Sequence, residues 1–272
     1  MMQAGAARGE LNGDRPLPLR DRLLYLWRNA CRNFRASGGA KSQRFLTHGI
    51  APENIKERSP SRFLTDLFIK RKLPQLFPLG PIDMLEIGCG SGSMMERLFN
   101  LGYSGTYIGV DVDDRFIRDH GTAFTATFVQ SDAHLYEPPH PVDFLFSFSA
   151  LEHIDHDDVL IIRLSGFMKP GGVQLHIVPA AAGLFIYLWH GYRQYTPADL
   201  AKRFGDDAQI FRLGGVGSFL VHFIAITVPE ILLRLRLRKI YPLAYARLVV
   251  AGFWLDRVLP VFPSALVVFK QH

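Results

Sequence analysis

The stretch Met84-Leu85-Glu86-Ile87-Gly88-Cys89-Gly90-Ser91-Gly92 is where residue types and spacing say most about chemistry. An apolar run of strand character ends in glycines at alternate positions, and a helical pattern follows. Glycine lets the backbone turn tightly and lets a ligand approach the main chain closely. A dinucleotide loop wants Gly-x-Gly-x-x-Gly, with a pyrophosphate at the helix start. Here Ser93 holds the third glycine position and Gly92 lies one earlier. The loop also begins with Glu86, which repels a pyrophosphate and suits a cationic ligand. A second acid, Asp111, closes the run Tyr107-Ile108-Gly109-Val110, where a carboxylate can accept both hydroxyls of a ribose. A third, Asp132 in Gln130-Ser131-Asp132-Ala133, can accept from an adenine amino group. A glycine loop and acids on successive strand ends predict a nucleoside site at the carboxyl edge of a sheet.

The elements that must position these groups follow from hydropathy period. Strands are predicted over 82–87, 106–112, 127–129, 142–148 and 173–178, with helices near 94–101, 115–120 and 157–168. The stretch Pro170-Gly171-Gly172 reads as the turn into the fifth strand. Such alternation implies a parallel sheet covered by helices on both faces. Residues 208–213 and 265–269 supply a sixth and a seventh strand. Two helices precede this core. One spans 20–34, with Leu23, Leu24, Trp27, Ala30, Cys31 and Phe34 at helical spacing between arginines, and Ser37-Gly38-Gly39 breaks it. The other spans 60–72, with Ser59 or Ser61 as cap.

These pieces together resemble the class I S-adenosylmethionine-dependent methyltransferases, in their small-molecule branch. The matching residues are the loop from Leu85 to Gly92, Gly109-Val110-Asp111 and Ser131-Asp132-Ala133. To them add Phe146-Ser147-Phe148-Ser149-Ala150-Leu151-Glu152-His153-Ile154 and Met168-Lys169-Pro170-Gly171-Gly172. The resemblance covers about residues 80–213. It implies an α/β, Rossmann-like, doubly wound sheet of seven strands, mostly parallel, with the last strand antiparallel beside the sixth. It implies S-adenosyl-L-methionine as cofactor, with Glu86 near the methionine amino group. Asp111 falls at the ribose, Asp132 with Ala133 at the adenine, and Val112 belongs to the cofactor-binding set. Gly88, Cys89, Gly90, Gly92 and Ser149 complete the cofactor-binding set, and most branches of the family need no metal.

Methyl transfer is an in-line displacement on a sulfonium, so the protein mainly positions the acceptor. A hydroxyl acceptor benefits from a base, and His153 is the candidate, with a place in the pocket wall as the alternative. His156, Asp155, Asp157 and Asp158 superficially suggest a metal cluster with His153. The acids fit a helix start better, and no metal is expected. His190, Tyr192 and Tyr195 are candidate acceptor-pocket residues, or members of a helix-entry loop. Thr196 with Pro197 and Asp199 opens the next helix.

Of 272 residues, 48% are hydrophobic and 21% charged, which excludes disordered and collagenous classes. Two cysteines, Cys31 and Cys89, exclude a disulfide framework. The net charge of +6 divides unevenly: +9 over 1–80, −8 over 81–214 and +5 over 215–272. The expected organisation is a basic helical extension (1–80), a cofactor core (81–213), an apolar Arg-rich helical insert (214–263) and the last core strand (264–272). The uncharged run 214–229 is shorter than the ~20 residues of a membrane span. Arginines interleaved with Leu, Trp and Phe suit an anionic leaflet, and nucleic-acid motifs are absent. A helical cap or a homodimer interface is the alternative use of those oily faces. The first 15 residues lack a signal-peptide core, so a cytoplasmic protein is expected, peripheral at the inner face of the membrane. The expected function is methyl transfer, by preference O-methylation, to a small-molecule, sugar or lipid-linked acceptor. Alternatives are a quinone or lipid methyltransferase and a non-catalytic binding or assembly protein with the same fold.

Overall fold

The computed structural model describes residues 11–35, 39–117 and 124–272. Helix α1 spans Leu19–Arg35. Of the 37–39 breaker only residue 39 is described, and the first ten residues also lie outside the described set. A short strand β1 (Gln43–Phe45) precedes α2 (Pro60–Arg71), whose first turn is capped by the Ser59 hydroxyl accepting from the Arg62 N–H. Next come α3 (Leu73–Leu76), β2 (Pro81–Ile87), α4 (Ser93–Phe99), β3 (Ser104–Asp111), β4 (Thr125–Gln130) and β5 (Val142–Phe148). They are followed by α5 (Asp157–Ser165), β6 (Met168–Pro179), α6 (Gly183–Tyr187), α7 (Pro197–Phe204) and β7 (Gln209–Leu213). The chain closes with α8 (Val216–His222) and its π-helical continuation Phe223–Leu232, then α9 (Leu237–Ile240), α10 (Pro242–Val258) and β8 (Ala265–Gln271).

All eight strands join one sheet in the order β1-β7-β8-β6-β5-β2-β3-β4. Strand β8 runs antiparallel to both β6 and β7, and the remaining pairs are parallel. Seven of these strands are the expected set, and the described residues add an eighth, β1. It is too short and polar for a hydropathy period to reveal. It is fixed from outside instead: Arg44 donates to the Asp256 and Arg257 carbonyls, and Arg257 donates to the Thr47 carbonyl. Two other details differ from expectation. Strand β6 begins at Met168 and runs through the Pro-Gly-Gly stretch, with an irregularity in its pairing before Phe144 and Val173 come into register. Residues 115–117 are not helical, and 118–120 lie outside the described residues.

Alternation along the strands builds two cores. Phe144, Phe146, Val267 and Phe269 face one side of the sheet, where Phe63, Leu64 and Phe68 of α2 pack. Leu145, Leu266 and Val268 face the other, against Leu160, Leu164 and Leu200 of α5 and α7. The insert joins the first core through Val221, Ala225, Val249 and Phe253. Helices α8 and α10 cross at Gly217 and Gly252, where a Cβ on Gly217 would lie 2.0 Å from the Gly252 carbonyl oxygen. Only glycine allows that approach. No described helix is long and apolar enough to cross a membrane.

Helix α1 is turned against the usual sense. Its buried stripe is Tyr25, Asn29 and Asn33, while Leu19, Leu23, Trp27 and Phe34 face outward. Polar bonds hold the inner stripe down. The Tyr25 hydroxyl donates to the His190 carbonyl at 2.7 Å, and Arg32 donates to the Gln194 carbonyl at 3.3 Å.

Candidate functional site

The glycine loop leaves β2 at the carboxyl edge of the sheet. Gly88 has φ +70°, and a Cβ there would meet the Ala150 Cβ at 2.4 Å, so the loop passes against the end of β5 as no other residue could. The Gly88 and Cys89 N–H groups donate to the Val110 carbonyl, which ties the loop to the end of β3. Asp111 follows and is buried. Its carboxylate accepts from the Gly90 N–H at 2.7 Å and from the Asp113 N–H at 3.0 Å. The Asp132 carboxylate accepts from the His134 N–H at 2.8 Å beyond β4.

These strand ends surround a cavity of about 810 Å³. Gly88, Gly90, Asp111, Val112, Asp132, Ala133, Ser149, His153 and Tyr192 all line it. Cys89, Gly92 and Glu86 do not. Gly92 caps α4 with φ +83°. Cys89 is buried beneath the loop, where desolvation pushes its thiol up. Glu86 turns under the loop as well and accepts a hydrogen bond from the Tyr107 hydroxyl. Burial raises the Glu86 carboxyl to about 8, the Tyr107 bond opposing and the nearby Asp111 adding to the shift.

That shift has a measurable sign. The folded state holds a proton on Glu86 that the unfolded chain releases near pH 4.3. Its contribution to stability is therefore present below that pH and lost as pH rises toward 8. The neutral buried imidazoles His176 and His222, each depressed to about 3 by desolvation, act in the opposite sense only below about pH 6.5. Between pH 6.5 and 8 urea denaturation should show stability falling by up to about 1.4 kcal/mol per pH unit from Glu86. Glu86→Gln should remove that share of the slope and leave the like-signed share of the buried Glu152, which is also raised to about 8; an unchanged slope refutes the assignment.

A second cavity of about 230 Å³ adjoins the first and shares Ser149 with it. It is lined by Ser61, Arg62, Met94, Glu152, Tyr187 and His190, among others. Ser149 lies at the junction with φ +49°, its N–H donating to the Ile177 carbonyl. His153 and His190 sit close by, their rings edge to face with centroids 4.5 Å apart. Asp14, from the segment before α1, reaches both. Its carboxylate lies 2.6 Å from His153 Nδ1 and 3.6 Å from His190 Nδ1. The Gly191 N–H donates to it at 3.0 Å. That bond helps hold the Asp14 carboxyl below its ordinary range, together with His153 and against burial, which is the largest single influence and pulls upward. A carboxylate only accepts, so Nδ1 of His153 carries the proton. Glu152 is fully buried beside the two rings, and desolvation raises its carboxyl to about 8.

The loop bearing His190 is clamped from below. Asp157 accepts from Arg193 at 2.7 Å, from Arg203 at 2.8 Å and from the Tyr195 hydroxyl at 2.9 Å. Thr196 and Asp199 form a reciprocal capping box at the start of α7, as expected. Tyr195 is thus corrected from a pocket residue to a structural one: it is 1% exposed and its hydroxyl is spent on Asp157. Asp157 is corrected too. Beyond its place in the first turn of α5, it is a buried ionic hub. Asp14 has no counterpart in the sequence reading. A single acid in a polar stretch gives no period or motif to find it by.

Comparison with known proteins gives three results. A family described as a methyltransferase domain matches residues 85–174. Among curated proteins, a malonyl-[acyl-carrier protein] O-methyltransferase of Ilyobacter polytropus is 29% identical over 97 residues, 34% of this chain and 38% of that protein. An uncharacterized methyltransferase of Mycobacterium tuberculosis is 30% identical over 123 residues, 43% of this chain and 61% of that protein. The chain therefore spans roughly two fifths to three fifths of the length of these relatives. Among solved structures, a SAM-dependent methyltransferase of Archaeoglobus fulgidus superposes with a TM-score of 0.52 at 21% identity. That match covers 78% of this chain and 95% of the other, and it shows a shared fold.

Proposed function

We propose that this chain, a member of the class I S-adenosylmethionine-dependent methyltransferases, transfers a methyl group from S-adenosylmethionine to the oxygen of a small-molecule acceptor. The observation that carries the proposal is the junction of the two cavities. Asp111, Asp132, the glycine loop and the Asp14–His153 pair line the larger cavity, and the His153 ring stands 4.5 Å from that of His190, which lines the smaller one. The cofactor would lie along the carboxyl edge, with its ribose hydroxyls on Asp111 and its adenine near Asp132 and Ala133. Its methyl group would then face the smaller cavity. The acceptor oxygen attacks the methyl carbon, and the sulfonium leaves as a neutral thioether. Asp14 fixes His153 with its proton on Nδ1, so that Nε2, 3.9 Å from Glu152 Oε1, carries the lone pair. We assign His153 the acceptor's proton, and His190 a place in the acceptor pocket.

A His153→Ala variant is expected to lose about 10²–10⁴-fold in turnover while binding S-adenosylhomocysteine normally. Transfer from methyl-labelled S-adenosylmethionine to a metabolite extract measures the first, and calorimetry the second. Undiminished turnover removes His153 from the mechanism.

We also propose that the acceptor is amphipathic or lipid-linked and is met at an anionic membrane surface. Support comes from α1, whose outward stripe includes Trp27 and Phe34, 69% and 83% exposed, with Arg20, Arg28 and Arg35 exposed around it. Exposed Leu233, Leu235 and Ile240 interleave with Arg234, Arg236 and Lys239 in the insert in the same manner. Arginine and apolar side chains together favour the headgroup region of an anionic leaflet. In flotation, the protein should rise with phosphatidylglycerol vesicles, and a double Trp27→Ala, Phe34→Ala variant should rise less. Protein left wholly in the soluble fraction sinks this part of the reading.

A further inference from the structure

Asp14, His153 and His190 come from three separate parts of the chain, yet one ligand atom from each lies within 4.8 Å of the others. The arrangement is built, not incidental. Gly191 has φ +62°, and a Cβ there would meet the Glu152 carbonyl oxygen at 2.4 Å. Only glycine therefore lets the His190 loop pass so close to Glu152 and present its N–H to Asp14. The two imidazoles stand between two carboxylates. Asp14 faces the Nδ1 edge of both rings at 2.6 and 3.6 Å. Glu152 Oε1 faces the Nε2 edge of both, at 3.9 Å from His153 and 3.8 Å from His190.

Glu152 is the independent observation. Its side chain is fully buried, and neither carboxylate oxygen has a hydrogen-bond partner. Buried polar atoms without partners are rare and call for a physical cause. With His153 donating from Nδ1 to Asp14, its Nε2 lone pair faces Glu152 Oε1 at 3.9 Å, beyond hydrogen-bond reach, and the buried carboxyl stays without a partner. A cation on the Nδ1 edge reverses this. It displaces the proton between Asp14 and His153, binds Nδ1 of both rings, and leaves the ring protons on Nε2. Those two N–H groups then point at the oxygen of Glu152 that lacks a donor. Metal-bound imidazoles are commonly oriented by a carboxylate on their far nitrogen in this way.

We propose that Asp14, His153 and His190 bind one divalent transition-type cation, with Glu152 as the carboxylate that orients both rings. Two imidazoles and one carboxylate suit zinc, manganese, iron, cobalt or nickel better than calcium or magnesium. All three ligands are about one-third exposed, so the ion keeps positions open toward the cavities. The inference rests on the methyl-transfer reading and deepens it. An acceptor hydroxyl bound to the ion releases its proton to solvent, and the resulting alkoxide attacks the methyl carbon. In the loaded protein the ion, with His153 as its ligand, takes over the removal of the acceptor's proton.

The test uses the full chain, stripped with a chelator and dialysed. Zn²⁺ and Mn²⁺ are titrated by calorimetry, and Co²⁺ by its visible absorption. One ion per chain is expected, with d–d bands shaped by nitrogen and oxygen ligands. Asp14→Ala and His190→Ala should each weaken binding at least tenfold, Glu152→Gln should weaken it less, and the exposed neighbour His156→Ala should leave it unchanged. Binding of S-adenosylhomocysteine, measured on every variant, reports that the fold is intact. Stripped protein that binds S-adenosylhomocysteine but takes up no ion overturns the metal site and leaves the methyltransferase reading in place. Ion uptake that Asp14→Ala and His190→Ala do not change overturns the ligand assignment. Ion uptake without S-adenosylhomocysteine binding overturns the methyltransferase reading alone.

Discussion

Replacing Asp157 by alanine is expected to destabilise the protein by about 3–5 kcal/mol, the range seen when one partner of a buried ion pair is removed. Asp157 is 2% exposed and is the shared counter-charge of Arg193 and Arg203. Arg193 is itself buried and also donates to the Ile154 carbonyl, so it cannot swing out to water without breaking the turn before α5. Truncating the acid takes the buried counter-charge from both guanidinium groups and the acceptor from the Tyr195 hydroxyl, and the more exposed Asp155 and Asp199, 3.7 and 3.8 Å from Arg193 and Arg203, replace it only in part. The measurement is the urea midpoint with its slope, at one fixed pH for wild type and variants so that the Glu86 contribution is the same in each. Asp157→Asn should cost less, because one acceptor oxygen remains. A loss below about 1 kcal/mol for the alanine variant would mean that the arginines find other partners, and that the clamp beneath the His190 loop is weak.

Asp111→Ala should lower the affinity for S-adenosylhomocysteine by roughly 100-fold or more. Two hydrogen bonds from ribose hydroxyls to a carboxylate contribute about 1.5–3 kcal/mol each. The same carboxylate also holds the loop through the Gly90 N–H, so part of the loss comes from a relaxed loop and not from the missing contact. Asp111→Asn separates the two: it keeps one acceptor for the loop and removes the charge. Calorimetry on both variants gives the split. Unchanged affinity in Asp111→Ala would place the ribose elsewhere and remove the main support for the cofactor pose.

The cofactor half of the site is legible in sequence because it is local and periodic. Apolar strands of the right length end in glycine or acid, and each motif lies within a few residues of a strand end. Parallel pairing then brings Gly88, Asp111 and Asp132 to one edge without further information. The acceptor half is not local. Asp14 and His153 are 139 residues apart, and Tyr25 and His190 are 165 apart. No spacing rule connects such pairs. Tyr195 misleads for a related reason. It sits in the expected stretch, but only the structure shows that its hydroxyl belongs to Asp157. Glu86 misleads in the other direction. Its position in the loop fits contact with a ligand, whereas its carboxyl finds Tyr107 in the strand beside it. The eighth strand is missed because three residues, Gln43-Arg44-Phe45, carry no period, and arginine bonds to α10 decide their place.

Asp14 lies far along the chain from the residues it must meet, His153 at a separation of 139 and Gly191 at 177. Contacts of such separation form late in folding, after the sheet that carries their partners. The strand-end part of the larger cavity can therefore form while the side lined by Asn12, Asp14 and Arg15 is still open. Replacing Asp14 would leave the strand-end carboxylates in place and disturb the His153 and His190 side.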